Sequence, residues 1–525
     1  MRLGIDFGTT RVVAAAADRG NYPVVCFESA DGAVRDWIPP LIATGEDGRR
    51  LYGWAAWHAL GAGGATVIRS IKRVLGDAGP ATLIDLGPIA LPLSQILGEL
   101  AAHIRQELQT YTGAEPVEIL LGVPANANSN QRFLTLEAFH AAGFDVLGLL
   151  NEPSAASIEY AHRLQDLDTA PPELILVYDL GGGTFDASLV SHTDGGYTVT
   201  ATESIATLGG DDFDELLASL ALAHAGLAES RHALTQAEEF LLLEECREKK
   251  EALHPNTRRI LIDLDRVRAG WPQTAVPVAE FYEHCQPLVD ETLDVTDSLL
   301  ATLPESAQIA LYVTGGASEL PLIGRLLRER FGRRVKRSAY TRAATAIGLA
   351  IQAAGHSSYQ LRERFTRHFG VWREAEGGRL MIFDPLFERG MQLPATDKPP
   401  LTRTRTYSPV HNIGHFRYLE CSHRGDAGEP TGDVSAWDEI RFPFDPALAT
   451  VEDLSATPVT HSDAAAGQLI EERYTADSSG AVRVTISNRT AGYQRVYRLA
   501  RWAANETAQP MRPRRTARHR SAKRS

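Results

Sequence analysis

The sequence has few cysteines and lacks any long hydrophobic segment. Its cysteines are widely scattered along the chain, at Cys26, Cys246, Cys285 and Cys421. Since no two of them are close in sequence, neither a zinc site nor a redox-active dithiol is indicated. No window of about twenty apolar residues occurs, so we expect no membrane-spanning helix. The chain enters a strand-like segment without a basic and then apolar leader, so we expect no secretory signal. These absences predict a cytoplasmic protein in a reducing compartment.

Two common nucleotide-binding motifs are also absent. The sequence contains no Gly-Lys dipeptide, which excludes the usual single-loop phosphate cradle, and no Gly-x-Gly-x-x-Gly dinucleotide fingerprint. The composition is otherwise that of a globular protein, with 44% hydrophobic and 23% charged residues among 525. This is enough apolar material for the cores of about two to four domains.

Acidic residues outnumber basic ones except near the C-terminal end. The formal net charge is −13, yet the residues after Glu506 include arginines and one lysine but no acid. This composition predicts a basic disordered tail over residues 503–525. The alternative is an electrostatic contact of this tail with nucleic acid or another anionic partner. We expect no nucleic-acid binding elsewhere in the chain.

One glycine-rich motif occurs twice. Residues 4–10 read Gly-Ile-Asp-Phe-Gly-Thr-Thr, and residues 178–186 read Tyr-Asp-Leu-Gly-Gly-Gly-Thr-Phe-Asp. Each copy is a predicted strand ending in an aspartate, a turn of glycine and threonine, and a second strand. Glycines leave backbone N–H groups open to a phosphate, and the aspartate can hold Mg²⁺ through water. A single copy is also typical of a tight hairpin, but two matching copies predict two lobes that grip one triphosphate.

The order of predicted elements after each motif repeats as well: strand, turn, helix, strand, helix. The elements of the first lobe are predicted at residues 119–123, 130–142, 146–150 and 154–161, and those of the second at 309–313, 320–331, around Val335 and at 343–354. Such alternation is typical of parallel sheets with helices on both faces, which bind ligands at the carboxyl ends of their strands. We therefore predict a two-lobed α/β domain with both aspartate–glycine turns at one cleft.

The periodicity changes near Gly355. Short alternating segments then follow one another, punctuated by glycine, proline and aspartate, as in an antiparallel sandwich. Strands are predicted at residues 379–383, 402–407, 415–421, 439–444, 480–487 and 494–499. The predicted organisation is a nucleotide-binding domain over residues 1–355, a linker over 356–364 and an all-β sandwich-like domain over 365–502.

The repeated motifs and four further segments resemble those of the DnaK-type seventy-kilodalton heat-shock chaperones. The further segments are residues 122–125, 151–156, 208–214 and 313–316. All six occur in the family's order within residues 1–355. The resemblance implies the two-lobed fold of the actin-like ATPase superfamily, with ATP or ADP and Mg²⁺ bound in the cleft and slow ATP hydrolysis.

The resemblance also implies roles for individual residues. Asp6, Asp179 and Glu152 would hold the metal shell and, with Lys72 and Thr184, form the catalytic set. Lys72 would orient the attacked phosphate and the water, and Thr184 would contact the γ-phosphate. The remaining nucleotide contacts would come from Thr9, Thr10, Gly181, Gly182, Gly183, Gly209, Gly210, Lys250, Gly315, Gly316 and Ser318.

The chain departs from the family pattern at the adenine end. Of the residues aligned with the family's adenine-binding helix, namely Arg247, Lys250, Glu251 and His254, only Lys250 is retained. Glu319 stands where the family usually has arginine, and Arg342 stands where it usually has aspartate. We therefore expect an intact phosphate end and a rebuilt base end, with ATP still bound.

The resemblance implies partners as well. The family binds unfolded or extended polypeptide segments in its sandwich and works with a J-domain cochaperone and a nucleotide exchange factor. Residues 387–394 and 476–484 resemble landmarks of that sandwich. The family's aliphatic linker is missing at residues 356–365, and the residues after Leu499 are too few for its helical lid. We therefore expect peptide to exchange quickly and interdomain coupling to be weak.

Two other functions are compatible with these motifs. One is a nucleotide-gated scaffold for a single dedicated folded partner, which the rewritten base end, the altered linker and the basic tail favour. The other is a small-molecule kinase on the same two-lobed fold. This function is less favoured, because a kinase of that kind has no use for the β domain.

Overall fold

The chain forms two compact units. A computed structural model describes residues 1–28, 32–63, 65–69, 71–75, 78–79, 81–113, 117–125, 127–165, 167, 169–170, 172–193, 196–304, 307–355, 360–361, 364–365, 367–375, 380–394, 398–478, 480–499 and 506–510. Unit 1 comprises the described residues of Met1–Arg367 and Arg389–Lys398, and unit 2 those of His368–Glu388 and Pro399–Ser525. Most of the predicted linker, residues 356–364, lies outside the described residues, so the predicted domain limits stay predictions.

The first lobe of unit 1 is built on a four-stranded sheet. Its elements are β1 (Arg2–Phe7), β2 (Val12–Ala17), β3 (Phe27–Glu28), β4 (Val34–Arg35), β5 (Ile42–Gly45), β6 (Arg50–Tyr52), α1 (Gly53–Ala62), β7 (Ala65–Ile68), α2 (Ile71–Val74), β8 (Leu83–Asp85), β9 (Ala90–Pro92), α3 (Leu93–Thr112), β10 (Glu118–Val123), α4 (Ser129–Ala141), β11 (Asp145–Asn151) and α5 (Glu152–Gln165). The strand order is β11-β10-β1-β2, with β1 parallel to β10, β10 parallel to β11, and β1 antiparallel to β2.

The second lobe repeats this arrangement. Its elements are β12 (Leu174–Leu180), β13 (Phe185–Thr193), β14 (Gly196–Ile205), α6 (Gly210–His224), α7 (Gln236–Glu251), β15 (Arg259–Asp263), β16 (Gln273–Pro277), α8 (Val278–Leu300), β17 (Ile309–Thr314), α9 (Pro321–Phe331), β18 (Val335–Arg337), α10 (Ala344–Ala353) and β19 (Gln360–Leu361). The strand order is β18-β17-β12-β13-β14-β19, and β12 pairs in parallel with β17 and antiparallel with β13. The predicted two-lobed α/β fold is confirmed.

Both glycine-rich motifs form the turn of a β-hairpin. In the first, the Gly8 N–H donates to the Arg11 carbonyl at 3.0 Å, and in the second the Gly181 N–H donates to the Thr184 carbonyl at 3.0 Å. Asp6 and Asp179 therefore occupy equivalent places, next to the last residue of their strands. The carboxyl ends of strands are where α/β folds bind their ligands.

Unit 2 consists of two antiparallel sheets. Its elements are β20 (His368–Ala375), β21 (Leu380–Phe387), β22 (Leu401–Tyr407), β23 (Ile413–Arg424), β24 (Pro430–Pro443), α11 (Asp463–Ala466), β25 (Ile470–Ala476), β26 (Val482–Asn488), β27 (Tyr493–Leu499) and β28 (Glu506–Pro510). One sheet has the order β21-β20-β23-β24, and the other the order β22-β25-β26-β27-β28. The predicted all-β region after the ATPase-like fold is confirmed.

Strands β20 and β25 of unit 2 were missed by the sequence pattern, because charged residues of both lie in the core. Arg373 of β20 donates through Nη2 to Glu472 of β25 at 2.6 Å, which links the two sheets. The Glu472 side chain is fully buried and also accepts from the Tyr407 hydroxyl at 2.5 Å. A buried arginine and glutamate interrupt the alternation of apolar residues by which strands are predicted.

The predicted disordered tail needs one correction. Residues 506–510 lie within it, yet they form strand β28, which pairs with β27. Residues 503–505 and 511–525 of that prediction lie outside the described residues. Within the described part of the chain, no helix combines the length and the hydropathy needed to cross a membrane.

Candidate functional site

The two glycine-rich turns meet at one cleft of unit 1. A Cβ atom placed on Gly182 would lie 2.3 Å from the Thr10 hydroxyl oxygen, so only glycine lets the turns approach this closely. All but three of the sequence-predicted site residues line this cleft: Asp6, Thr9, Thr10, Lys72, Glu152, Asp179, Gly181, Gly182, Thr184, Gly210, Lys250, Gly315 and Gly316. The fold thus brings together residues from both copies of the motif.

The other three predicted residues, Gly183, Gly209 and Ser318, are not among those that line the cleft. A Cβ on Gly209 would lie 2.6 Å from backbone atoms of Gly182 and Gly183, so Gly209 allows α6 to pack directly on the second turn. The hydroxyl of Ser318, a buried residue, donates to the Gly315 carbonyl at 2.6 Å. Gly209 and Ser318 therefore support the loops behind the cleft surface.

A lysine and four carboxylates form the inner end of the cleft. Lys72, on the short helix α2, donates through Nζ to Glu152 Oε1 at 2.7 Å. Asp6 and Asp179 lie at the ends of their strands, and Asp186 stands directly opposite Asp179 in the β12–β13 pair. Asp186 also accepts from the Ser204 hydroxyl at 2.5 Å. A single lysine thus faces four acidic side chains.

The carboxylates at this end repel one another and are partly buried. Burial and then repulsion from Glu152 raise the pKa of Asp6 to about 7, while Lys72 opposes the shift. Burial likewise raises the pKa of Asp186 to about 6 and that of Asp179 well above its usual value. Although burial acts against it, Glu152 and Asp6 raise the pKa of Lys72. A site of this kind favours the binding of an additional cation.

These donors fit a hydrated magnesium ion. Among the described residues, no three His, Cys, Asp or Glu side chains are arranged to enclose a metal ion directly. Mg²⁺, however, keeps several water molecules and binds through one or two carboxylates together with substrate phosphates. Asp6 and Asp179 are the carboxylates that face each other from the two motifs. The position of both carboxylates at one cleft, beside the two glycine turns, supports the fit.

A buried ion pair joins helices α6 and α7 of the second lobe. The Lys250 ammonium lies 2.7 Å from Asp214 Oδ1 and donates to the Gly210 carbonyl at 2.5 Å. Lys250 is 7% exposed, so these contacts rather than solvent satisfy its charge. Lys250 therefore lines the cleft, as predicted, while it also anchors the first turn of α6.

Four ionic side chains lie along the outer part of the cleft. Arg11 contacts Glu251 Oε1 at 2.5 Å, and Arg342 contacts Glu251 Oε2 at 3.0 Å. Arg342 also donates through Nε and Nη2 to Glu319 Oε2, at 2.9 and 2.6 Å. Glu251 and Arg342, aligned with the family's base end, are thus paired with each other.

An aromatic wall adjoins these ion pairs. Trp57 lines the cleft, with the Arg247 guanidinium 4.5 Å from the centre of its ring. Trp37 packs against Trp57 and carries Arg11 at 4.6 Å from its own ring centre. Cation–π contacts of this type hold flat guanidinium groups against the rings.

Sequence reasoning missed several residues of the cleft. Asp186 was quoted as part of the second motif but was not assigned a role. The hairpin register could have identified it, because Asp179 and Asp186 are directly opposite. Arg11 directly follows Thr10 in the first turn, so its place at the cleft could have been predicted, although its partner Glu251 could not. Trp57 lacks a comparable signal, since it is brought to the cleft by the packing of a distant segment. His254, from the predicted adenine-binding helix, is not among the lining residues.

The family resemblance also implies that nucleotide state reaches the outer surface through Pro124 and Arg132. Arg132 is buried, and its guanidinium donates to the Asn151 side chain. Asn151 immediately precedes Glu152, the first residue of α5. Arg132 therefore contacts the residue next to one of the cleft carboxylates.

Comparisons with known proteins agree with this architecture. A sequence profile of the Hsp70 protein family matches residues 87–365. The chaperone protein HscA homolog of Burkholderia multivorans (strain ATCC 17616 / 249) is 32% identical over 373 residues, which are 67% of this chain and 58% of that protein. The HscA homologs of Burkholderia pseudomallei (strain 668) and Burkholderia mallei (strain SAVP1) are each 32% identical over 375 residues, with the same coverage. The chain thus spans 58% of the length of these curated relatives, and it belongs to the Hsp70 family.

Proposed function

We propose that this protein is a Mg²⁺-dependent ATPase of the chaperone type, which binds ATP or ADP in the cleft of unit 1. The observation that carries the proposal is the convergence of both glycine turns on a cluster of Asp6, Lys72, Glu152 and Asp179. We further propose that nucleotide state is coupled to the binding of extended polypeptide segments by unit 2.

The chain supplies the donors that a triphosphate needs. Thr9, Thr10 and Thr184, which carry hydroxyl donors, line the cleft together with Gly181 and Gly182. Glycine in such a turn leaves room for a phosphate to approach the backbone. Asp6 and Asp179 would hold a hydrated Mg²⁺, which would neutralise charge on the phosphate oxygens. Phosphoryl transfer depends mostly on such positioning and electrostatics, with little covalent chemistry by the protein.

Lys72 and Glu152 would act on the terminal phosphate and the attacking water. Their ion pair of 2.7 Å is largely shielded from solvent, with side chains 12% and 14% exposed. Glu152 fixes the direction of the ammonium, so that its other N–H groups can donate into the cleft. We propose that this pair orients the water and stabilises charge on the phosphate, at a slow rate of turnover.

Substitution Lys72→Met tests the proposed catalytic pair. Hydrolysis should fall by about 100-fold, as when one preorganised charged donor is removed, while the dissociation constant for ADP should change much less. The matched control is Lys249→Met, because Lys249 is 39% exposed and is not among the residues that line the cleft. Unchanged hydrolysis in Lys72→Met, or no binding of ATP with Mg²⁺ at millimolar concentration, would refute the proposal.

Stimulation experiments distinguish a chaperone from a scaffold. The same cleft would serve a nucleotide-gated scaffold for one folded partner. The ion pairs that Arg342 forms with Glu251 and Glu319, where the chain departs from the family pattern, favour this alternative. ATPase activity is measured with an unfolded polypeptide, a J-domain cochaperone and a nucleotide exchange factor, each added alone and together. Stimulation supports the chaperone function, and indifference to all of them supports the scaffold. The cytoplasmic location and a role of the basic tail in binding anionic partners stay predictions.

A further inference from the structure

The outer part of the cleft is occupied by a continuous chain of ion pairs. Arg11, Glu251, Arg342 and Glu319 alternate in charge and contact one another in that order, at 2.5, 3.0 and 2.6 Å. All four line the same cleft as the glycine turns. We refer to this set of four residues as the ion-pair chain.

The ion-pair chain and its neighbours fill space between the loops of the cleft. A Cβ atom on Gly316 would lie 3.6 Å from Arg342 Cγ, so the stem of Arg342 already covers that glycine. A Cβ on Gly210 would lie 3.3 Å from Ala317 Cβ and 3.4 Å from the Lys250 ammonium. In contrast, Thr9 and Thr10 of the first turn carry hydroxyl donors and line the cleft at the phosphate end.

The charges of the ion-pair chain satisfy one another. Glu251 uses both carboxylate oxygens, and Arg342 donates to both Glu251 and Glu319. Although burial opposes ionisation, Arg11 and Arg342 lower the pKa of Glu251 to about 2. Their side chains are 15–33% exposed, so the pairs are only partly screened by solvent. Separating them would leave half-buried charges without a partner, which is unfavourable.

A nucleobase is uncharged and cannot replace a full charge in such a chain. We propose that the ion-pair chain prevents specific recognition of the base, so that the cleft binds nucleoside triphosphates as a class through their Mg²⁺-bound phosphates. This inference rests on the proposed function, since it assumes that the phosphate end binds a triphosphate. Adenine then contributes little to the affinity of the cleft for ATP. Arg342 and Glu319 are the residues that determine this lack of base specificity.

Calorimetric titration of the full-length protein tests the inference. The ligands are ATP, GTP, CTP, UTP and inorganic triphosphate, each with Mg²⁺. All five dissociation constants should agree within about tenfold, which corresponds to about 1.4 kcal/mol. A preference of more than about tenfold for ATP would overturn the inference and leave the proposed ATPase intact. If none of the five ligands binds, the proposed function itself fails.

A double substitution tests the role of the ion-pair chain. In Arg342→Ala with Glu319→Ala, Glu251 keeps Arg11 as its partner, so no buried charge is left alone. For each protein, the ratio of the affinity for ATP or GTP to the affinity for inorganic triphosphate is compared. This ratio should rise by about tenfold in the double variant, because a base can then enter the space that Arg342 and Glu319 occupied. The control pair Arg330→Ala with Asp297→Ala removes a surface ion pair joining α8 and α9, outside the set of cleft-lining residues. The ratio should not change in this control. An unchanged ratio in the cleft variant would contradict the inference.

Discussion

A methyl group added at Gly209 should push the start of α6 away from the second glycine turn, at Gly182 and Gly183. An added Cβ would lie 2.6 Å from the carbonyl carbon and oxygen of Gly182 and from the nitrogen of Gly183, whereas ordinary contacts begin at 3.4 Å. All three neighbours are backbone atoms, so no side chain can rotate away. The first turn of α6 must therefore move back by about 1 Å in Gly209→Ala.

Two backbone hydrogen bonds would lengthen in this variant. The Gly210 N–H donates to the Gly181 carbonyl at 2.9 Å, and the Asp211 N–H donates to the Gly182 carbonyl at 2.7 Å. Overpacking costs about 1–3 kcal/mol and each weakened hydrogen bond about 1 kcal/mol. We expect the free energy of unfolding to fall by about 3 kcal/mol. Triphosphate affinity should fall by about tenfold, because the displaced turns weaken hydrogen bonds to the phosphates that contribute about 1 kcal/mol each.

Urea denaturation followed by circular dichroism measures the first quantity, and calorimetric titration measures the second. The matched control is Gly324→Ala, in the interior of α9, where an added Cβ would meet no atom within 4 Å. That control should stabilise the protein by about 0.5–1 kcal/mol, because alanine favours the helix over glycine. The reasoning is refuted if Gly209→Ala retains both the wild-type stability and the wild-type affinity.

Two further predictions concern buried charge. Burial raises the pKa of Asp6 to about 7 and that of Asp186 to about 6, so the folded state binds more protons than the unfolded state. The free energy of unfolding without metal should therefore fall as the pH rises from about 4 to about 7, and then level off. Mg²⁺ competes with these protons, and thermal unfolding should show a larger Mg²⁺ stabilisation at pH 8 than at pH 5; equal stabilisation would contradict the pKa assignment. In unit 2, Arg373→Met leaves Glu472 buried without its guanidinium partner. The free energy of unfolding, measured by urea denaturation, should fall by about 3–5 kcal/mol. The double variant Arg373→Met with Glu472→Met should recover most of that loss. A double variant as unstable as the single one would show that the lost charge balance is not the cause.

The sequence predicted the repeated half of the fold well because the signal is local. Each copy of the motif contains its strand, turn and second strand within a few residues, and the hairpin turns at Gly8 and Gly181 follow from the glycines themselves. The helices after each motif carry regular apolar periodicity, so α9 and α10 were predicted within one residue of their observed ends. The phosphate end of the candidate site follows from these same elements.

The outer end of the cleft could not be predicted in this way. Arg11, Glu251 and Arg342 lie far apart in the chain, and each could equally be a solvated surface charge in the sequence. Their pairing depends on how the lobes pack, which no local pattern encodes. Strand β25 was missed for a related reason, since Glu472 is a buried charge at a position where an apolar residue is expected.

The position of Trp57 gives this protein an intrinsic optical probe. Its indole ring forms part of the cleft wall, with the guanidinium of Arg247 stacked on it. The emission of an indole responds to nearby charge and to the polarity of its surroundings, so a ligand that moves Arg247 should alter the fluorescence of Trp57. Because the chain has seven tryptophans, occupancy of the cleft can be followed as the fluorescence change that is lost in Trp57→Phe, without a dye or a modified nucleotide.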